Sequence, residues 1–311
     1  RIGGVPQPRE PDGTLDLGDL EVRWAQVDQV RVKSLASERG WDRRLLCARS
    51  LDDGRVGAHR TYAAAERYLS IADENHDALT SLLRHHGATP TAPWNLLRPS
   101  FESAFRALWL LNPEDGQERR RRGVHLEWLD DEAARKYRNV TLRDPALLKR
   151  LGVPEEALAA SREGDRVNAK VYQREADELG LPYRTKDWQG RTIKPAPFQV
   201  NVEDQLGKLI PDDKVLTLGL LTTWKTLSGI THSEGSALLR VSDHSTESEY
   251  KGGRQVRITI NDSAFYMAAI TTTVLRVLAW GQYGVCHEAA SNAPVDLSPL
   301  QEIVARAIPG P

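Results

Sequence analysis

The chain has 311 residues, 40% of them apolar and 27% charged, with 42 Lys and Arg against 43 Asp and Glu for a formal net charge of -1. That length can bury a substantial core, and the composition excludes a disordered, collagen-like or disulfide-scaffold chain. Near-neutrality excludes a global field toward nucleic acid or anionic lipid, so any such binding rests on a local patch.

Residues 1–19, rich in Pro, Gly and charge and without the apolar core of a secretory signal, predict a flexible lead-in. Residues 20–51 predict helix in pieces broken at Gly40. A helix over 59–86 follows from Tyr62, Ala65, Leu69, Ala72, Leu79, Leu82 and Leu83 at mostly helical spacing, with a polar interruption at 74–77 and Gly87 as its stop. Over 94–112, Leu96, Leu97, Phe101, Ala104, Phe105, Leu108 and Leu111 cover most of a helix circumference, which places that helix inside a bundle. Pro113 separates it from a highly charged helix over about 114–139.

The character changes at 144–181, where short helical patches are broken by Gly152, Pro154, Gly164 and Gly180; residues 183–211, interrupted by Pro195 and Pro197, predict a long surface loop. Leu216, Leu220, Trp224, Leu227, Ile230 and Leu238 then make the apolar stripe of a second central helix over 212–239. Residues 255–260 alternate and predict one short strand, with Asn261, Asp262 or Ser263 capping the apolar helix that follows. That helix contains three threonines and Arg276 and is shorter than a membrane span, so it reads as buried, with no membrane partner. A short helix over 298–308 ends the chain. The fold class is therefore all-α, an antiparallel helix bundle (20–143 and 212–311) carrying an inserted polar helical and loop segment (144–211), with at most one short β element.

Cys47 and Cys286 lack metal-type spacing, and so few cysteines point to a reducing compartment, the cytoplasm. Neither a phosphate loop, a nucleophile elbow, a zinc helix motif nor a dinucleotide fingerprint is present, so no cofactor is expected. Carboxylate-bridged metal needs Glu-x-x-His ligands on facing helices; the only related spacing, Asp73 with His76, is not repeated, and no metal is expected.

Two segments, Trp94-Asn95-Leu96-Leu97-Arg98-Pro99-Ser100-Phe101-Glu102 and Trp224-Lys225-Thr226-Leu227-Ser228-Gly229-Ile230-Thr231-His232, resemble a widespread group of uncharacterised actinobacterial helical proteins that are similar to HEPN domains. In HEPN domains an Arg, a few residues and a His on one helix cut RNA, so the resemblance implies RNA or a nucleotide as partner, in defence or stress response. This sequence departs from that pattern: Lys225, a point charge rather than a planar bidentate guanidinium, precedes His232. Arg119 or Arg120 with His125 has the family spacing but is a short motif easily met by chance.

The residues themselves suggest how a site is assembled. Arg98, Glu102 and Arg106, four apart, form one polar stripe on an otherwise apolar helix, either an ion-pair ladder that orients it or a pocket wall. Lys225, Ser228 and His232 occupy one side of two turns of the second central helix. If these sides face each other, His232 is a general base toward a ribose 2′-hydroxyl, Lys225 or Arg98 holds a phosphate, Glu102 orients the imidazole, and Ser228 and Arg106 contact substrate. The alternative for His232 is an imidazole satisfied by a neighbouring carboxylate. The run Glu118-Arg119-Arg120-Arg121-Arg122 points in four directions and reads as a solvated helix with local pairs. The leading expectation is a metal-independent ribonuclease; the alternatives are a helical enzyme or binding protein for a small molecule, and a non-catalytic protein whose bundle pairs with a second copy as a homodimer or with another partner.

Overall fold

The structure, a computed structural model, describes residues 17–40, 47–87, 89–141, 144–150, 152, 154–186, 192–195, 200–209, 214–231, 238, 241–250 and 253–287. The fold is an all-α helix bundle, as the apolar periodicity predicts. Helices α1 (Leu17–Arg39), α2 (Ala48–Asp52), α3 (Ala58–His86), α4 (Ala92–Leu111), α5 (Gly116–Thr141), α6 (Pro145–Arg150) and α7 (Glu155–Leu179) precede a hairpin of β1 (Tyr183–Lys186) and β2 (Thr192–Pro195). Then come α8 (Val202–Leu209), α9 (Lys214–Thr231), a hairpin of β3 (Ser242–Tyr250) and β4 (Gly253–Ile260), and α10 (Asp262–His287). The chain divides into two compact units: Arg1–Trp41, Glu66–Trp109 and Asn201–Pro311 form the first, Asp42–Ala65 and Leu110–Val200 the second.

In the first unit, side-chain contacts fix the direction of three successive helix pairs. Glu21 meets Arg84 at 2.8 Å and Trp24 meets His76, which sets α1 antiparallel to α3. Ser100 Oγ donates to the carbonyl of Ala72, and the Arg106 guanidinium lies over the Tyr68 ring, which sets α3 antiparallel to α4. Phe101 stacks on Trp224 and Arg98 reaches Thr231, which sets α9 antiparallel to α4, and α9 packs on α10 where the Thr223 and Thr271 hydroxyls share a bond of 2.7 Å. The helix α10 packs along α1, where Ser34 Oγ donates to the carbonyl of Trp280 at 2.7 Å. A Cβ added at Gly284 would sit 2.8 Å from Ser34 Oγ, so glycine there permits the close approach. By length and composition α10 alone among the described residues could cross a membrane, and 78% of the qualifying window is buried in the structure.

The second unit has its own core. On α7, Tyr172, Ala176 and Leu179 recur at helical spacing and bury against Val124 and Trp128 of α5; Trp128 stacks parallel on Tyr172 at 5.7 Å. Arg138 and Asp165 form an ion pair across the same antiparallel seam. Asp52, 1% exposed, accepts from Tyr62 Oη at 3.0 Å and from Arg119 Nε at 3.0 Å and Nη2 at 2.9 Å, while Arg120 Nε stands 3.7 Å away. Arg119 Nη1 also donates to the carbonyls of Pro113 and Glu114 at the entrance to α5.

Several expectations are corrected. Residues 155–179 form one helix, not patches broken at Gly164: the buried face on α5 outweighs the roughly 1 kcal/mol that an exposed helical Gly costs. Gly180 closes it in the left-handed conformation at φ 63°, with the Leu181 amide on the carbonyl of Ala176. The expected loop over 183–211 contains β1, β2 and α8; Asn201 caps α8, its side chain accepting from the amide of Glu203 and donating to Asp204. Residues 144–200 cluster with 42–65 and 110–143 in the second unit. Strand β4 includes the predicted 255–260 and is paired with β3, whose polar run carried no apolar alternation to reveal it. The α10 cap is Asn261, which accepts from the amide of Ala264 at 2.8 Å. The four arginines are not all solvated: Arg119 and Arg120 are buried on Asp52, and Arg121 and Arg122 pair with Glu118. The lead-in 1–16 and the helix expected over 298–308 lie outside the described residues.

Two glycines separate packing from propensity. Gly57 has φ +82°, and a Cβ there would lie 2.7 Å from Val124 Cγ2, whereas Gly164 faces open space. Gly57→Ala is expected to destabilise the protein by roughly 1–3 kcal/mol and Gly164→Ala to stabilise it by up to ~1 kcal/mol. Urea unfolding of both variants checks this, and shifts of the same sign contradict the packing described for the second unit.

Candidate functional site

The helices α4 and α9 are mostly apolar, and each carries a narrow half-buried polar edge at the seam between them. On α4, Trp94, Leu97, Phe101, Ala104 and Phe105 are buried. Pro99 lies inside the helix, where it removes one backbone donor. Arg98 and Glu102, one turn apart, stay 20% and 24% exposed and are joined Nε to Oε1 at 2.5 Å. A second nitrogen of the same guanidinium, Nη1, donates to the Thr231 hydroxyl at the end of α9, and that hydroxyl turns back to the carbonyl of Leu227. The guanidinium carbon stands 5.8 Å from the ring centre of Trp224, which is itself stacked on Phe101 at 6.2 Å and 22°. Arg98 is thus oriented by a carboxylate, a hydroxyl and an indole.

The other expected site residues divide. Ser228 lies one turn beyond Trp224 on the same edge of α9 and is partly exposed. Lys225 does not join Arg98 and Glu102: its ammonium lies 2.9 Å from the carboxylate of Glu203 on α8, 65% exposed to solvent. One residue along a helix is a rotation of about 100°, which carries Lys225 off the edge held by Trp224. Arg106 also leaves the seam, its guanidinium 5.6 Å from the ring centre of Tyr68 on α3, so the ladder stops at Glu102. His232, next in the chain after Thr231, lies outside the described residues. Arg119 and Arg120 are committed to Asp52, and His125 is buried, so that alternative pair belongs to the interior of the second unit.

A shallow groove of about 370 Å³ runs elsewhere on the first unit, lined by Gly207, Lys214, Thr217, Leu218 and Leu221. Arg98 and Glu102 take no part in it.

The sequence reading did not find Thr231 and Trp224 as site residues. Their spacing with Ser228 at i, i+4 and i+7 was available, but Trp224 was assigned to the apolar stripe. It also missed a buried polar centre. Asp73 Oδ1 accepts from Arg276 Nη2 at 2.6 Å and Nε at 3.3 Å, while Oδ2 accepts from Trp280 Nε1 at 3.2 Å and stands 3.3 Å from Arg31 Nε. These partners occupy the carboxylate that the Asp73 and His76 spacing raised as a metal ligand. Among the described residues no group of three or more His, Cys, Asp or Glu could hold a metal ion. His76, edge-on to Trp24, has its pKa lowered to about 2 by burial first and by the nearby Arg276 charge second.

No family model, curated protein or solved structure matches the chain.

The depressed His76 pKa has a signed consequence. The unfolded chain takes up a proton near pH 6.5 that the folded chain refuses until about pH 2, so the stabilising neutral state is fully present above pH 6.5 and its contribution falls as the pH drops through that window. His76→Phe is expected to flatten the pH dependence of urea unfolding between pH 6.5 and 4, removing a slope of up to about 1.4 kcal/mol per pH unit. An unchanged slope contradicts a neutral, buried His76.

Proposed function

We propose that the seam of α4 and α9 binds a phosphate of RNA or a nucleotide and that the protein is a metal-independent, HEPN-like ribonuclease. The observation that carries this reading is Arg98, turned toward the end of α9 by Glu102 and Thr231, with His232 as the next residue of the chain. Arg98 replaces Lys225 as the phosphate ligand, which supplies on a facing helix the planar guanidinium that the α9 motif lacks.

In the proposed reaction His232 takes the proton of a ribose 2′-hydroxyl as O2′ attacks the adjacent phosphorus. The P–O5′ bond breaks, leaving a 2′,3′-cyclic phosphate, and the departing 5′-oxygen takes up a proton. Arg98 neutralises charge on the non-bridging oxygens during this step. Glu102 acts as a positioning residue for Arg98. A cytoplasmic location belongs to the same proposal, since RNA is abundant there.

The test is cleavage of purified total RNA by the wild-type protein, His232→Ala and Arg98→Ala, each with and without chelator. Cutting is expected to be indifferent to chelator and to fall by about 10²–10⁴ when His232 is removed. Arg98→Lys is expected to recover little, because an ammonium cannot reproduce the fork. A folded wild-type protein that leaves RNA intact contradicts the reading and directs attention to small-molecule ligands.

A further inference from the structure

Helices α8 and α9 lie antiparallel to each other: Glu203 near the start of α8 meets Lys225 in the second half of α9 at 2.9 Å, and Gly207 lines the open groove with Lys214, Thr217, Leu218 and Leu221. Leu216 and Leu220 of α9 are buried. Leu218, two residues from each, is turned about 200° away and is 56% exposed, with Val215 one turn before it also exposed. A single exposed Leu needs no explanation, but Val215, Leu218 and Leu221, three apart, form an apolar strip bordering the groove. On α8 the same rotation acts around the buried Leu206, so Asp204 and Lys208, two residues to either side, point outward and are exposed. These are opposite charges four apart, yet among the described residues no ion pair joins them, and Asp204 accepts from Asn201 Nδ2 at 2.8 Å instead.

We propose that this face binds a second copy of the chain, with α8 and α9 of each copy laid antiparallel on their counterparts about a twofold axis. In a twofold interface residue i meets j and j meets i. With the axis near Leu206, Asp204 of each copy stands opposite the partner's Lys208, so the two charges left apart within one chain are both met, while Leu218 and Leu221 close over the partner's groove. A parallel arrangement would set Asp204 on Asp204 and Lys208 on Lys208. The surface therefore matches its own reverse, which selects a second copy over an unrelated partner. The 18 residues of α9 span about 27 Å, and two helices side by side are about 20 Å across, so each copy offers roughly 500 Å². A standard stable interface takes about 800 Å² per partner, so the dimer is weak and reversible.

The experiment is sedimentation equilibrium of the full chain from about 10 µM to about 300 µM, for wild type, Leu218→Asp, Lys208→Asp and the exchanged variant carrying both Asp204→Lys and Lys208→Asp. Each altered side chain is exposed, so the variants are expected to fold, which circular dichroism checks. Wild type should dimerise reversibly over this range and Leu218→Asp should stay monomeric. Lys208→Asp sets like charges together at both symmetric contacts and should weaken the dimer by about tenfold or more; the exchanged variant, which restores opposite charges at both, should recover most of the loss. A monomeric wild type overturns the proposal and leaves the groove to an acyl chain or a different protein, and a dimer indifferent to Leu218→Asp overturns it by placing the interface elsewhere. Failure of the exchanged variant to recover what Lys208→Asp loses overturns the antiparallel arrangement.

Discussion

Asp73 is one carboxylate buried among two guanidiniums and an indole, and the register of the first unit is tied to it. Its partners come from two other helices: Arg276 and Trp280 from α10, and Arg31 from α1. Arg276 is 2% exposed in the middle of an otherwise apolar helix. A guanidinium there is tolerable only with a fixed counter-charge, so α10 has one rotation and one height against α3 at which the charge is met. Removing one partner of such a pair typically costs about 3–5 kcal/mol, because the other is left buried and uncompensated.

That constraint reaches the candidate site through neighbouring contacts. Ala72, next to Asp73, accepts the hydroxyl of Ser100 and so fixes α4 against α3 at the turn that carries Arg98 and Glu102. Thr271, five residues before Arg276 on α10, shares a hydrogen bond with Thr223, the neighbour of Trp224 on α9. The two walls of the seam are therefore each fixed to a helix that bonds through Asp73. The proposed phosphate contact requires such placement of Arg98, since it depends on the angle of the guanidinium as well as its charge.

The sequence makes the helices legible wherever burial is one-sided. The 3.6-residue recurrence of Leu69, Ala72, Leu79 and Leu83 marks α3, and the broad apolar surface of 94–112 marks α4 as internal. What periodicity misreads is polarity inside the core. Asp73, just before the polar interruption at 74–77, and His76 within it are both buried, and their partners Arg276 and Trp24 lie far away along the chain. The Arg98 and Glu102 pair was visible from its four-residue spacing, because that contact is local. The departure of Arg106 toward Tyr68 and of Lys225 toward Glu203 was not, because those choices depend on which helix face meets which neighbour. Gly164 misled for a related reason: a helix-weakening residue on an exposed face does not report the packing on the opposite one.

The most direct measurement is a double-mutant cycle on Asp73→Asn and Arg276→Met, read by urea unfolding of the two single variants and the double variant. The account predicts that each single change costs about 3–5 kcal/mol and that the double change costs several kcal/mol less than their sum, because removing both charges leaves neither one buried alone. Two mild and additive single effects would contradict the role assigned to this pair.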